Sequence, residues 1–489
     1  MNCHQQRPAS RRAIVLAGAV LLAGGLGACG RTQSDEPVRL PAVFSQHMVL
    51  QQGQKLPVWG WAGPGQRVTV ALDGVRRSDR AGRDGRWEVS LPAFAAAAEP
   101  LRLTVTGPNT NTITVDDVLI GEVWVCSGQS NMWWPVSRAS DPDSHAARAD
   151  DALLRMFTVP QLTSPEPLED CEGAWRVCTP ENVLAFSAVG YHFARELRAA
   201  LGVPVGMLHT SWGGTPAEAW TSLQTLESDP LYAQIVGDRD NPELRAQNRG
   251  AHLYNAMLLP LVPYRIAGAI WYQGEANLPR AAQYADLFPA LIRDWRRTWG
   301  QGDFPFYFVQ LAPYRYGGQD PRNCAELREA QVGALALPRT GMAVTMDIGN
   351  PANIHPGNKH EVGRRLALWA LAHDYGRQDL VYSGPLYASS RVEGDRIVIS
   401  FDHVAEGLIT LDGEAPSHFE IAGSDREFRP AEARIEGDAV VVQSDDVPNP
   451  VAVRYAWRDD AEPNLANSAG LPASPLRTDD WPLVTAYRE

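Results

Sequence analysis

The sequence predicts an α/β protein whose central parallel sheet is covered by helices on both faces and flanked by two smaller β domains. Three observations predict this. Apolar strand-like runs alternate with helical stretches in the middle of the chain, and short alternating strands both precede and follow that region. The chain of 489 residues also exceeds one ordinary hydrophobic core, so two or three domains are expected.

The first residues resemble an export signal rather than part of the fold. Three arginines precede an apolar stretch at 13–26, which ends in LGAC at 26–29. This order predicts a lipoprotein signal peptide at 1–28, lipidation of Cys29 and a tether at 29–37. An ordinary secretory peptide and a twin-arginine signal are the alternatives. We therefore expect an exported protein, periplasmic or at the cell surface, that is anchored to the membrane through Cys29.

Charge and cysteine usage exclude several classes of function. The chain has 44 basic and 57 acidic residues, a balance that disfavours nucleic acid as a partner. No C-x-x-C or H-E-x-x-H spacing appears, so we expect no metal and no cofactor. Cys126 lies in an apolar run and is expected to be a small buried hydrophobe. An exported setting would permit a disulfide between Cys171 and Cys178.

The N-terminal region, 38–118, is predicted to be a small β-sandwich-like domain. Its strands alternate apolar and polar residues between turn signals such as Gly63-Pro64-Gly65. The clearest strands are 58–61, 68–72, 87–91 and 101–105.

The middle region, 119–379, is predicted to be the catalytic domain, with strands and helices in alternation. The predicted strands are 118–126, 205–211, 266–271, 306–310 and 342–347. The predicted helices are 188–201, 284–299, 324–335 and 358–374. Residues 380–489 return to strand patterning, as at 396–401 and 439–442, and predict a C-terminal β domain.

Four of the five predicted strands end in residues suited to ester chemistry. Ser130 follows the first, Gly213-Gly214 the second and Asn277 the third, while His355 comes after the fifth. The carboxyl ends of parallel strands share one edge of a sheet, so these residues can converge. A serine nucleophile needs a nearby base, which histidine supplies at neutral pH. Backbone N–H groups of Ser130 and a glycine, with the Asn277 amide, would hold the oxyanion.

Each of these residues also has a simpler interpretation. The glycines could only turn the chain, Asn277 could cap a helix, and His355 could begin the helix that follows Pro356. Ser130 itself lacks the G-x-S-x-G spacing of an α/β-hydrolase nucleophile, so a different fold is required. The presence of all four in this order at predicted strand ends favours a site.

GQSNM, SWGGTPAEAW, WYQGEAN and IHPGNKHEVGRRLALWAL resemble the signature blocks of the sialate O-acetylesterase family, within the SGNH hydrolases. The resemblance covers most of the chain after the leader. It implies a three-layer α/β/α, flavodoxin-like SGNH-hydrolase domain. It also implies that Ser130 is the nucleophile, that Gly213 and Asn277 complete the oxyanion hole, and that His355 is the base. The family removes acetyl groups from sugars, either sialic acids or xylan-type glycans.

The sequence departs from that pattern before the histidine. SGNH enzymes commonly carry aspartate there, whereas this chain has Ala352 and Asn353. An amide cannot stabilise an imidazolium as a carboxylate does. We therefore predict a Ser130–His355 dyad oriented by Asn353 or a nearby carbonyl. Asp347 is the first candidate if a carboxylate does contact the ring.

Three functions remain open from the sequence. The leading prediction is a serine-dependent carbohydrate O-acetylesterase acting on an acetylated saccharide through an acetyl-enzyme intermediate. A general SGNH esterase or lipase would differ in its preferred acyl-chain length. A non-catalytic glycan-binding lipoprotein would explain the missing acid, although a binding module needs no oxyanion hole. Tryptophans at 133, 134, 212 and 271 flank the site segments and suit sugar rings, while core packing is their simpler fate.

Overall fold

The computed structural model describes residues 36–107 and 111–486. The predicted signal peptide, the lipidation site at Cys29 and most of the predicted tether lie outside these residues. Export and a lipid anchor therefore stay predictions from the sequence. Within the described ranges, no helix is long and apolar enough to cross a membrane.

The N-terminal region contains six short strands that lead into one long strand. These are β1 (Val49–Gln51), β2 (Leu56–Trp61), β3 (Arg67–Leu72), β4 (Val75–Arg80), β5 (Arg86–Leu91), β6 (Ala97–Thr106) and β7 (Thr112–Gly128). The first part of β7 pairs with β6 and β1, and from Glu122 onward it pairs with the central sheet. A single strand thus runs through the predicted boundary at 118 and joins the two regions.

The central sheet positions the site. Its further strands are β8 (Asp151–Thr158), β9 (Trp175–Cys178), β10 (Val205–Ser211), β11 (Gly268–Tyr272), β12 (Phe306–Val309) and β13 (Thr340–Ala343). The order is β13-β12-β11-β7-β10-β8-β9, and every neighbouring pair except β8 with β9 is parallel. The chain places β10 on one side of β7 and β11 on the other. Ligands of open α/β sheets bind at such a switch point.

Helices cover this sheet. They are α1 (Ser130–Trp133), α2 (Pro142–Ala147), α3 (Pro180–Val183), α4 (Ala188–Leu201), α5 (Leu223–Glu227), α6 (Ala233–Gly237), α7 (Ala281–Trp299), α8 (Arg322–Gly333) and α9 (Lys359–His373). The long helices pack in pairs, α4 against α9 and α7 against α8. The α/β fold that the sequence predicts, with additional β sheets, is confirmed.

The strand β8 and its antiparallel neighbour β9 were not predicted. Arg155 interrupts the apolar pattern of β8, yet it is only 4% exposed. Its guanidinium donates to both carboxylate oxygens of Asp117, at 2.6 and 3.2 Å. A buried ion pair therefore takes the place of an apolar residue, and a pattern of hydrophobic residues cannot anticipate it.

The C-terminal region is built from small antiparallel sheets. Its strands are β14 (Leu386–Glu393), β15 (Arg396–Asp402), β16 (Leu408–Thr410), β17 (Phe419–Ala422), β18 (Arg429–Pro430), β19 (Glu432–Glu436), β20 (Ala439–Gln443), β21 (Ala452–Tyr455), β22 (Leu465–Asn467) and β23 (Leu476–Arg477). This region packs on α8, where Arg328 donates to the carbonyls of Arg458 and Asp459 at 2.7 and 3.0 Å.

The four cysteines in the described part of the chain are free thiols. Cys126 is fully buried in β7, as expected of a small hydrophobe. Cys171 and Cys178, for which an exported setting would permit a disulfide, are not bonded to each other in the structure.

Candidate active site

Ser130 lies at the carboxyl end of β7, in the turn that begins α1. Gly128 has a φ of +137°, and a Cβ there would lie 2.1 Å from the carbonyl oxygen of Tyr272, so the turn requires glycine. The N–H of Gln129 donates to the same carbonyl at 2.9 Å. Ser130 is partly exposed, and its hydroxyl forms no hydrogen bond with a described residue. The hydroxyl is therefore available to a substrate.

Gly213 packs directly against Ser130. It follows the end of β10, whose last residue, Ser211, pairs with Gly128. A Cβ at Gly213 would lie 3.2 Å from the Cβ of Ser130. Gly214 has a φ of +75° and open space around it. Of the two glycines between which the sequence could not choose, Gly213 is the one beside the serine.

The Asn277 side chain is buried and held in one orientation. Its Oδ1 accepts hydrogen bonds from the Ala217 N–H at 3.0 Å and from Gln273 Nε2 at 2.6 Å. Its Nδ2 donates to Glu218 Oε2 at 2.9 Å. Because a backbone N–H can only donate, the amide cannot be flipped. One N–H of the amide remains free for an oxyanion.

The loop after β13 carries His355, whose ring stacks on Trp134. The two ring centroids are 4.4 Å apart with an interplanar angle of 16°. Its Nε2 is buried and has no hydrogen-bond partner among the described residues. Burial is the main cause that lowers the pKa of His355, and the cations of Lys359 and Arg138 lower it further. The ring therefore favours its neutral form, which can accept a proton.

The two residues that the sequence suggested for orienting His355 do not touch its ring. Asn353 Oδ1 accepts the backbone N–H of His355 at 3.0 Å, so it shapes the loop and not the imidazole. Asp347 forms a two-pronged ion pair with Arg365, with both N–O distances 2.6 Å. Within residues 36–107 and 111–486, no carboxylate bonds to the ring. Stacking on Trp134 holds the imidazole instead.

Asn131 connects the nucleophile turn to the histidine loop. It is 1% exposed, and its Nδ2 donates to the carbonyl of Ile354 at 3.0 Å. Ser130 and His355 each adjoin one of these two residues in sequence. The structure thus brings together all four segments that the sequence placed at strand ends, although β13 itself ends twelve residues before the histidine, at Ala343.

An exposed aromatic and cationic surface lies beside His355. The Arg138 guanidinium is 5.9 Å from the Trp133 ring and 5.7 Å from the Trp134 ring. Trp133 is 38% exposed. Trp271 is fully buried and is therefore a core residue. Arg280 is also partly exposed, but it pairs with Glu218. Arg138 has no ion-pair partner among the described residues.

A cavity of about 460 Å³ adjoins the oxyanion segments. Gly214 and Ala276 line it, each one residue from a predicted oxyanion donor. Its polar walls include the guanidinium groups of Arg249 and Arg280. These groups suit the hydroxyls of a polar ligand.

Three buried polar residues beside the site were not predicted: Asn131, Glu218 and Lys359. All three lie inside the sequence motifs that resemble the family. Their charge or polarity among apolar neighbours was the feature of the sequence that could have identified them. Lys359 carried a second signal. It is one of only two lysines in the chain, the other being Lys55, while arginine supplies the remaining basic residues.

Comparisons with known proteins agree with this geometry. The family model described as "Carbohydrate esterase, sialic acid-specific acetylesterase" matches residues 120–372. Sialate O-acetylesterase from Mus musculus is 30% identical over 484 residues, which cover 86% of this chain and 89% of the mouse protein. The Homo sapiens protein of the same name is 33% identical over 385 residues, covering 71% and 73%.

A solved structure extends the similarity to nearly the whole fold. The crystal structure of a carbohydrate acetylesterase from Xanthomonas citri superposes with a TM-score of 0.84 at 43% sequence identity. The match covers 91% of this chain and 100% of that one.

Proposed function

Because this chain belongs to the sialate O-acetylesterase family of carbohydrate esterases, we propose that it hydrolyses acetyl esters on sugars through an acetyl-enzyme intermediate on Ser130. Family membership makes it a carboxylic ester hydrolase and argues against a glycan-binding protein without activity. The serine mechanism and the choice of glycan are our proposal. The observation that supports it most is the buried Nε2 of His355, which lies beside the nucleophile turn and has no hydrogen-bond partner in the described part of the chain.

The first half of the reaction forms the acetyl-enzyme. Ser130 Oγ attacks the acetyl carbonyl carbon while His355 Nε2 accepts the hydroxyl proton. The carbonyl oxygen becomes an oxyanion, which the N–H groups of Ser130, Gly213 and Asn277 stabilise. The bond to the sugar oxygen then breaks, and His355 gives its proton to that oxygen, which leaves as a hydroxyl.

The second half repeats these roles with water as the nucleophile. His355 takes a proton from the water, whose oxygen bonds to the acetyl carbon. Collapse of the second oxyanion breaks the bond to Ser130 Oγ, and the proton returns to that oxygen. Acetate leaves and the enzyme is restored.

The surface around the site supports a saccharide as the group that carries the acetyl. Trp133 offers an exposed flat face for a sugar ring, and the adjoining cavity offers polar walls. Arg138 is an unpaired cation at this surface, which suits the carboxylate of a sialic acid and also permits a neutral xylan-type sugar. Acetate release from O-acetylated sialic acid and from acetylated xylan oligosaccharides, measured side by side, ranks the two. A preference for long acyl chains over acetyl would instead indicate a general esterase or lipase.

The serine mechanism predicts a specific covalent label. Diethyl 4-nitrophenyl phosphate phosphorylates serines that a neighbouring base activates. We expect the intact mass to increase by one diethylphosphoryl group and peptide mapping to place it on Ser130. Ser140→Ala, which removes an exposed serine in the next loop, should label normally. Label on a different serine, or no label on an enzyme that still releases acetate, contradicts the proposal.

Asn277→Ala is expected to lower kcat by about 10²–10³-fold with little change in KM, because one oxyanion donor is lost. The substitution also leaves the Ala217 N–H without its acceptor and Glu218 Oε2 without the Asn277 donor, although Arg280 still binds the other oxygen of Glu218; this should cost about 1–3 kcal/mol of stability. Kinetics on 4-nitrophenyl acetate and the thermal midpoint separate the two effects. Asn449→Ala, at an exposed amide of the C-terminal region, is the control. A kcat within threefold of wild type in a folded Asn277→Ala protein would remove Asn277 from the oxyanion hole.

A further inference from the structure

A buried polar cluster lies directly behind the nucleophile and has no role in the reaction as proposed. Its members are Asn131, Glu275 and Lys359. Asn131 Oδ1 accepts a hydrogen bond from Lys359 Nζ at 2.5 Å, and Asn131 Nδ2 donates to Glu275 Oε1 at 2.6 Å. The same Nδ2 donates to the Ile354 carbonyl at 3.0 Å. Three of the four hydrogen-bonding positions of this amide are therefore occupied.

The cluster joins two strand ends and the start of a helix. Asn131 follows β7, Glu275 follows β11, and Lys359 begins α9, beyond the loop that carries His355. Each member is within four residues of a group used in the reaction: Asn131 next to Ser130, Glu275 two residues from Asn277, and Lys359 four residues from His355. One carboxamide thus fixes the separation of the nucleophile, the oxyanion donor and the base.

The neighbours of that carboxamide fix its direction. The Ile354 carbonyl can only accept, so it binds the nitrogen end of Asn131 together with Glu275, and the oxygen end accepts from Lys359 Nζ. Lys359 is fully buried and its Nζ lies 5.3 Å from the ring centroid of Tyr272. Glu275 Oε2 is buried and has no hydrogen-bond partner within residues 36–107 and 111–486. Burying a lysine costs free energy because its amine loses its hydration. One of the two lysines of the chain is nevertheless buried here.

We propose that Asn131, Glu275 and Lys359 are positioning residues that set the Ser130–His355 geometry, in place of the carboxylate that orients histidine in a catalytic triad. This inference rests on the proposed serine mechanism. In a catalytic triad the acid binds the histidine ring itself. Here the cluster binds the chain on either side of His355, and stacking on Trp134 sets the orientation of the ring. The cluster touches no reacting atom, so its effect should appear in kcat and not in substrate binding.

The charge of Lys359 in this cluster also affects the pKa of His355. Burial lowers the pKa of Lys359 to about 7, against the opposing effect of Glu275. The charged groups that act on His355 are Lys359 and Arg138, and both lower its pKa. Removing the lysine should therefore raise the pKa of His355 and move the acid limb of kcat/KM to higher pH.

Lys359→Met tests the cluster, because methionine keeps the length of the side chain and removes its hydrogen bond and charge. We expect kcat on 4-nitrophenyl acetate to fall by about 10–10²-fold with KM within threefold, as a misplacement of the reacting groups would produce. The acid limb of kcat/KM should move to higher pH, and labelling of Ser130 by the organophosphate should slow in proportion to kcat. Lys55→Met, at the other, exposed lysine, should change none of these.

A folded Lys359→Met enzyme with unchanged kcat and an unchanged acid limb overturns the inference. If Lys359→Met does not fold, Asn131→Ala provides the same test, since it removes all three hydrogen bonds and lets Lys359 and Glu275 pair with each other. Its kcat should fall and its KM should hold; an unchanged kcat overturns the inference. Full activity of Ser130→Ala would instead refute the serine mechanism, which keeps the two failures distinct.

Discussion

Replacing Ser130 with alanine is expected to lower kcat/KM for acetylated sugars by about 10⁴–10⁶-fold, which is the size of effect seen when a serine hydrolase loses its nucleophile. The oxyanion donors and the substrate surface remain, so a small residual rate over the uncatalysed reaction should persist. Acetate release and 4-nitrophenyl acetate turnover measure the loss.

The same variant separates catalysis from glycan binding. Since the Ser130 hydroxyl has no hydrogen-bond partner among the described residues, its removal should leave the thermal midpoint nearly unchanged. Affinity for the deacetylated glycan should also be unchanged, because Trp133 and Arg138 are intact. Ser140→Ala controls for the loss of a nearby hydroxyl. An active Ser130→Ala enzyme would assign the chemistry to another group, and glycan binding without turnover in the wild type would favour the non-catalytic alternative.

Most of the site could be predicted because its parts are local in sequence. Ser130, Gly213 and Asn277 each follow a strand whose last residues are buried on both faces, and such mostly apolar runs stand out in the sequence. The parallel direction of the strands follows from their alternation with helices. The bounds of β10 and α4 agree with the prediction at both ends. Pro204 precedes β10, while Ser187 caps the start of α4 and Gly202 ends it.

The partners of the buried charges could not be predicted, because each pair joins residues that are distant in sequence. Asp347 is a plausible partner for His355 by position, yet Arg365 on α9 takes both of its oxygens. Arg155 contacts Asp117, and Lys359 contacts Asn131, because the folded sheet brings their distant segments together. A charged residue in a strand or a helix indicates that a partner exists, while the fold decides which one.

His355→Ala is expected to lower kcat/KM by about 10³–10⁶-fold, because the serine hydroxyl then lacks a base. In the wild type, burial and the two nearby cations lower the pKa of His355, so its neutral form persists to lower pH than for an ordinary histidine. The acid limb of kcat/KM should therefore lie below the ordinary histidine value of about 6.5. Arg138→Gln removes one of those cations and should move the limb upward by a fraction of a pH unit, since Arg138 is exposed and its charge is screened.

Asp347→Asn shows whether His355 works without an acid. In a site built around Asp-His, the same change costs about 10⁴-fold by leaving the histidine in the wrong tautomer. Here Asp347 binds Arg365 and not the imidazole, so kcat of the variant should stay within about threefold of wild type. The thermal midpoint should fall, because a largely buried ion pair is lost. A fall in kcat as large as that of His355→Ala would mean that Asp347 reaches the ring during turnover. If the thermal midpoint falls and kcat does not, Ser130 and His355 act as a dyad. The loop, Trp134 and the cluster around Asn131 then hold the histidine in place.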